Sequence, residues 1–312
     1  MSLPFFQTDE KIAVALSGGP DSMALAHMLS HQSSAVDIHA LIVDHGLRSE
    51  SGAEARETFD RVKNWPNVIP HILTWGGDKP DTKIMEEARR ARYGLMRDFC
   101  REHGISTLYL AHHLDDQAET FLIRLAKGSG LDGLAAMSRA QDYDGLTLVR
   151  PLLDVPKSDL LAYCDTHNIP FARDPSNEKT DYLRPRLRGA REVLEAEGLT
   201  SKRLATTAMR LSRARAALEF FTDEGWRDHV TVGADIQINA AALNKLPEEV
   251  VLRVVLKAMD HFRPDADYGP RLERVESLVR DMRGDAFRGA TLGGCRFAIK
   301  GRDRALWVVE KE

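Results

Sequence analysis

The sequence predicts an α/β fold: a doubly wound, mostly parallel sheet in the first two thirds of the chain, then a helical linker and a small α+β unit. Three observations predict this. Short apolar runs at 12–16, 38–43, 68–73 and 108–111 have the length of buried strands. Segments at 21–30, 54–62 and 85–100 carry apolar residues at helical spacing, so strands and helices alternate. The length of 312 residues suits two domains of roughly 150 residues each.

The first run leads into Ser17-Gly18-Gly19-Pro20-Asp21-Ser22. Two glycines allow a sharp turn and close approach of the backbone to a ligand, and Pro20 is tolerated in a first helical turn. Met23, Ala24, Leu25, Met28 and Leu29 follow at helical spacing, so free N–H groups and a positive helix end would face the loop. An ordinary strand-to-helix turn explains two glycines alone. The full pattern points to a phosphate. The loop has no Gly-Lys-Ser/Thr ending, which excludes a Walker A loop.

The second strand ends at Asp44-His45 and the fourth at His112-His113, on the sheet edge that carries the glycine loop. Arg48 follows in the loop after Asp44. The stretch Ala111–Thr120 concentrates ionisable groups, including His112, His113, Asp115, Asp116 and Glu119. Asp116 to Glu119 has capping-box spacing, a complete structural explanation of those two residues. Beside a phosphate loop, the same carboxylates can hold Mg²⁺ or orient an amine. Gly128 to Gly133 spells G-x-G-x-x-G but follows a helical pattern rather than a strand, so it reads as a helix stop.

Charge is unevenly placed. The formal net charge is −4, yet between residues 183 and 215 nine Lys/Arg stand against three Asp/Glu. Arg184, Arg186 and Arg188 share one face if the chain is extended, while Arg203 and Arg210 lie two helical turns apart. Such a stripe suits a nucleic-acid backbone, the alternative being a solvated helix face. Leu204, Ala208, Leu211 and Leu218 then predict a long helix leading into the second unit. There, 248–259 and 271–282 read as amphipathic helices, and 296–299 and 305–309 as strands around Gly301. The three cysteines, Cys100, Cys164 and Cys295, are scattered, without a disulfide framework or a C-x-x-C pair. The N-terminus lacks a basic stretch followed by a long apolar run, so a cytoplasmic location is expected.

The Ser-Gly-Gly-x-Asp-Ser loop resembles the pyrophosphate loop of N-type ATP pyrophosphatases, which cleave ATP between its α and β phosphates and pass AMP to a substrate oxygen. The chain resembles the tRNA(Ile)-lysidine synthetases in five ordered blocks: that loop, Val43–Glu50, Glu87–Tyr93, Ala111–Thr120 with the glycines after it, and Asp174–Asn177 with Tyr182–Arg188. The resemblance is strong over 11–215 and weak beyond.

It implies an adenine-nucleotide alpha-hydrolase-like, Rossmann-like catalytic domain over 1–215, including the basic segment 183–215, and a C-terminal domain over 216–312 that contributes to tRNA recognition. It implies a ligase that adenylylates the wobble cytidine of CAU-anticodon tRNA(Ile) with ATP and then joins L-lysine to it, releasing AMP and pyrophosphate. Ser17, Gly18, Gly19, Pro20, Asp21 and Ser22 would bind ATP, with Asp21 a Mg²⁺ ligand. Arg92, Asp116 and Glu119 would be catalytic, although Arg92 also reads as a surface helix arginine. Asp44, His45, Arg48, His112, His113 and Asp115 are further substrate-site candidates. Arg184, Arg186, Arg188, Arg203 and Arg210 would hold tRNA. Two other readings stand beside this one: another adenylating tRNA modifier such as a 2-thiolase, and an ATP-binding module without catalysis. The missing cysteine pair weighs against the first, and the acidic cluster with the arginine stripe against the second.

Overall fold

The computed structural model describes residues 11–32, 36–77, 79–80, 82, 84–172, 183–263, 270–301 and 304–312. The chain divides into two compact units, 1–212 and 213–312. The block Asp174–Asn177 and Tyr182 lie outside the described residues.

The first unit begins with β1 (Lys11–Ala15), α1 (Pro20–Gln32), β2 (Asp37–Asp44), α2 (Ser51–Val62) and β3 (Val68–Thr74). It continues through α3 (Ile84–Glu102), β4 (Thr107–Tyr109), α4 (Leu114–Ala126) and α5 (Leu131–Leu134). Then come β5 (Ala140–Tyr143), β6 (Leu146–Val149), α6 (Lys157–Thr166), α7 (Leu183–Gly189) and α8 (Arg191–Ala196). The six strands form one sheet in the order β3-β2-β1-β4-β6-β5, parallel except for the edge pair β5–β6. The antiparallel hairpin was not expected from the sequence. Its outer strand, Ala-Gln-Asp-Tyr, is largely exposed and so carries no apolar run.

Successive side chains of β1 serve opposite faces, as strand geometry requires. Ile12 and Val14 join a core with α1, α2 and α6, through Met23, Leu25, Leu29, Val62 and Leu160. Ala13 joins a second core with Tyr93, Met96 and Cys100 of α3. Helices thus cover both faces, which is why these strands read as continuous apolar runs. The chain winds outward from β1 to β3, then α3 returns it to β4 on the other side of β1. Between β1 and β4 the winding reverses, and the crevice beyond their carboxyl ends is where such sheets bind ligands.

Two histidine groups are packed in this unit. His27 hydrogen-bonds with the Tyr163 hydroxyl at 3.0 Å, and His39 Nδ1 meets His71 Nε2 at 3.0 Å. Burial first, then neighbouring histidines, pushes His27 and His71 down to about 4. Both are neutral in the fold at pH 7. Below about 6.5 the unfolded chain takes up protons that the folded chain refuses until pH 4, so stability falls across that window. The urea midpoint should therefore drop from pH 7 to pH 5, and drop less in a His27→Asn/His71→Asn double variant. Equal drops in the two proteins would contradict the assignment.

The second unit takes up within α9 (Ser201–His229), the predicted long helix. It adds β7 (Val230–Val232), β8 (Ile236–Asn239), α10 (Ala240–Leu243), α11 (Glu248–His261), α12 (Leu272–Arg283), β9 (Ala290–Leu292), β10 (Cys295–Lys300) and β11 (Leu306–Lys311). An antiparallel sheet in the order β7-β8-β11-β10-β9 packs on α11 and α12 through Ile236, Ile238, Phe297 and Trp307 against Val251, Val255, Val275 and Met282. Both predicted helices and both predicted strands of this unit are present. The short strands β7, β8 and β9 escaped the sequence reading, being only three or four residues long. No helix among the described residues is long and apolar enough to cross a membrane.

Candidate active site

The loop after β1 is held by its own side chains. Ser22 Oγ accepts from the Ser17 N–H at 3.2 Å, lies 3.1 Å from Ser17 Oγ, and donates to the Gly19 carbonyl at 3.0 Å. Gly18 adopts a φ of 79°, and a Cβ there would meet Thr58 Oγ1 at 2.4 Å, so both backbone conformation and space demand glycine. Pro20 opens α1, with the first helical bond running from Met23 N–H to the Gly19 carbonyl at 3.0 Å. Serine hydroxyls and the helix end thus preset a turn that presents N–H groups at the β1/β4 crevice.

Across the crevice stands the start of α4. His113 is its N-cap, and the His113 N–H donates to Asp116 Oδ2 at 3.1 Å. The capping relation therefore links His113 to Asp116, not Asp116 to Glu119 as the spacing suggested; the helix begins three residues earlier, leaving Glu119 free of capping. His113 Nε2 lies 3.5 Å from Asp21 Oδ2 and 3.6 Å from Asp116 Oδ2, with Nδ1 3.7 Å from Asp115 Oδ2. Burial alone would lower the His113 pKa, but the Asp21 bond and the three surrounding carboxylates raise it. The His113 ring thus ties the phosphate loop to the acidic start of α4. Asp21 Oδ2 also has Lys157 Nζ at 3.7 Å, while its buried Oδ1 has no hydrogen-bond partner.

The three acids of α4 have different environments. Asp115 accepts from the Lys157 N–H at 2.9 Å and Ser201 Oγ at 3.0 Å, and pairs with Arg191 at 3.0 Å. Burial would raise its pKa; those donors and Arg191 bring it below the ordinary value. It braces α4, α6, α8 and α9 together. Asp115→Ala should lower unfolding free energy by about 2–3 kcal/mol, because two partly buried donors and Arg191 lose their buried acceptor. A chemical-denaturation curve unchanged within 0.5 kcal/mol (a surface-like effect of about that size) would contradict it. Glu119 is buried and paired bidentately with Arg188, Oε1 to Nε at 2.6 Å and Oε2 to Nη2 at 3.2 Å. This pair first, through its hydrogen bond, raises the Arg188 pKa.

Two further histidines at this sheet edge, His45 and His112, are held neutral. Burial, then the Arg92 charge, lowers His45. Burial, then Arg150, Arg89, Arg92 and Arg184, pushes His112 down to about 3. Arg92 is half-buried, its guanidinium 5.4 Å from the Tyr93 ring centre, so it is not the solvent-facing helix arginine of the alternative reading. Asp44 has another task. It accepts from the Gly46 N–H at 3.0 Å and Ser51 Oγ at 2.6 Å, shaping the loop between β2 and α2, and the Ser51 bond above all lowers its pKa. Arg48 stays on the surface in an ion pair with Glu54 at 2.9 Å, outside the cluster.

The segment of Arg184, Arg186 and Arg188 is helical, not extended. Pro185 sits in the first turn of α7, where a missing N–H costs little. Arg184 and Arg188 consequently share a face towards α4, Arg184 reaching Thr120 Oγ1 at 3.4 Å, and Arg186 leaves that face. Arg203 and Arg210 are exposed on α9, with Arg203 donating to the Gly198 carbonyl at 3.0 Å.

The PP-loop domain family model matches residues 2–196. The tRNA(Ile)-lysidine synthase of Bradyrhizobium diazoefficiens is 40% identical over 304 residues, covering 93% of this chain and 83% of that protein. The tRNA(Ile)-lysidine synthase of Methylobacterium nodulans is 41% identical over 303 residues, covering 95% of this chain and 89% of that protein. The chain belongs to the tRNA(Ile)-lysidine synthase family. At the level of fold, this family member is similar to the U34-tRNA thiolase of Methanococcus maripaludis, with a TM-score of 0.54 and 18% identity over 66% of this chain and 72% of that one.

For a lysidine synthase family member, the β1/β4 crevice brings together Ser17–Ser22, His113, Asp116 and Glu119, with Arg92, His45 and His112 beside them. The sequence reading missed Lys157 and Arg150, the first facing Asp21 and the second buried beneath His112. Each follows the end of β6, a strand too short and too far along the chain to be assigned to the same edge as the glycine loop. The run Leu148-Val149-Arg150 was the available signal: an arginine at the end of an apolar run.

Proposed function

We propose that the chain joins L-lysine to the wobble cytidine of CAU-anticodon tRNA(Ile), with ATP converted to AMP and pyrophosphate. The observation that carries this reading is the junction of a phosphate loop with the carboxylate-rich start of α4 through buried His113, in a chain about 40% identical to named lysidine synthases.

In the first step the 2-carbonyl oxygen of the cytidine attacks the α-phosphorus of ATP and pyrophosphate leaves. The backbone N–H groups at the start of α1 stabilise charge developing on the leaving group. A Mg²⁺ ion suits this position, since it is bound by one or two carboxylates together with substrate phosphates. The partnerless buried Oδ1 of Asp21 is the oxygen that would hold it, and the ion would neutralise phosphate charge. In the second step the ε-amine of lysine attacks the activated carbon, AMP departs with its electron pair, and the amine proton passes to a carboxylate. Asp116 and Glu119 are those carboxylates, one helical turn apart at the crevice. Arg92 steadies the anion or base. Arg184, Arg186, Arg188, Arg203 and Arg210 contact the RNA backbone, and the C-terminal domain contributes to tRNA recognition.

The reading is tested by pyrophosphate release. It should require ATP, Mg²⁺ and the CAU tRNA(Ile) transcript together; equal release without RNA would contradict it.

A further inference from the structure

Most arginines around α3 are neutralised by neighbouring acids. Arg90 pairs with Glu87 at 2.6 Å, Arg97 with Asp98 at 2.8 Å and Asp144 at 2.9 Å, and Arg101 with Asp144 at 3.3 Å. Arg89, Arg92, Arg150 and Arg184 differ: among the described residues none has a carboxylate within 4.0 Å. They nevertheless converge. All four act on His112, which is held uncharged in their midst. Arg89 and Arg92 flank buried Tyr93, their guanidinium carbons 4.9 and 5.4 Å from its ring centre, and Arg89 reaches the Tyr93 hydroxyl at 3.4 Å.

Arg150 forms the floor. It is 4% exposed, with Nη1 donating to the Ser138 carbonyl at 2.9 Å and Nη2 to Gln141 Oε1 at 3.1 Å, while its buried Nε has no hydrogen-bond partner. Arg92 is half-buried, and Arg89 and Arg184 form an exposed rim. Three like charges gathered around a buried guanidinium with no carboxylate partner are costly unless an anion completes the site. The floor is buried, the rim accessible and the charge all of one sign.

We propose that Arg89, Arg92, Arg150 and Arg184, with Tyr93 and His112, form a cup for one phosphodiester of the RNA strand beside the base being modified. Guanidinium forks match phosphate oxygens bidentately, and the neutral imidazole adds a donor without adding charge. The phosphates of ATP already have the glycine loop, on the other side of the β1/β4 crevice. The cup opens instead towards α7, whose Arg184 begins the basic segment, so an RNA strand on that segment would pass over its rim. This inference rests on the reading of the chain as an RNA-modifying enzyme.

The test uses Arg89→Gln, because Arg89 is exposed and its hydrogen bond among the described residues is to the Tyr93 hydroxyl. A fluorescein-labelled anticodon stem-loop of CAU tRNA(Ile) should bind the full-length variant about tenfold more weakly. The salt slope of its affinity should fall by about one, with ATP affinity unchanged. Stem-loops carrying a single neutral methylphosphonate, scanned through the loop, should include one position that weakens wild-type binding equally and makes Arg89→Gln silent. Unchanged stem-loop affinity in the variant overturns the cup. So does a loss of ATP affinity in place of RNA affinity, which would assign the cup to nucleotide phosphate. If wild-type protein itself fails to bind the stem-loop, the RNA-modifying reading falls, a result distinct from either.

Discussion

Asp21→Ala is expected to lower tRNA-dependent pyrophosphate release by about 10³-fold, the scale for removing a preorganised group that meets transition-state charge. Asp21 lies in the first turn of α1, where the loop must hold an electron-rich leaving group. Its Oδ1 is buried without a hydrogen-bond partner, an arrangement that costs free energy in the folded protein and is explained by a ligand that uses it. Its Oδ2 faces His113 Nε2 at 3.5 Å and Lys157 Nζ at 3.7 Å, which hold the side chain in place. The loop's hydrogen bonds run between Ser17, Ser22 and Gly19 and involve no atom of the Asp21 side chain, so the variant should fold. Asp21→Asn keeps the volume and loses the charge, and should lose nearly as much activity. Release within tenfold of wild type in either variant would remove Asp21 from the reaction.

Glu119→Gln separates the two halves of the reaction. The amide preserves shape and can still accept one bond from Arg188, whose side chain is 40% exposed and can be hydrated when the ion pair is lost. A lysine ammonium, however, loses a negative partner and a proton acceptor. Lysine transfer should fall about 10²-fold or more, in the range for loss of a general base, while a first turnover of pyrophosphate release persists. Rapid-quench measurement of both products decides it. If both steps fall together, Glu119 serves adenylylation or folding rather than the amine; if neither falls, its part is the ion pair alone.

The legibility of the fold followed burial. Strands of the parallel sheet are covered on both faces, so their apolar runs stood out, and the glycine loop could be placed because it joins such a strand to a helix. The β5–β6 hairpin could not be read in the same way, since β5 is exposed, and with it went Arg150 and Lys157. Candidate residues close in sequence to a strand end, such as Asp21 and His113, were assigned to the correct edge. Their partners were harder. Nothing in the spacing separates Asp115, braced by Ser201 and Arg191, from Asp116 one residue later, because the difference lies in elements distant in sequence. The shared face of Arg184, Arg186 and Arg188 held only for an extended chain, and the helix α7 replaces it with the pair Arg184 and Arg188.

The cysteines show a comparable division. Their scatter in the sequence spoke against a redox pair, and in the structure Cys100, Cys164 and Cys295 are free and buried. Burial pushes the Cys100 thiol up to about 12 and the Cys164 thiol up to about 11, so neither is a ready thiolate near neutral pH. These properties favour an amine over a sulfur nucleophile in the second step.

The central claim is that ATP-derived activation at this loop is consumed by lysine on RNA. Incubation of the protein with ATP, Mg²⁺, radiolabelled L-lysine and CAU tRNA(Ile) transcript, followed by nuclease digestion, tests it most directly. One label per tRNA is expected, confined to the wobble nucleotide and absent when ATP is omitted. Pyrophosphate release without any label in the RNA would contradict it.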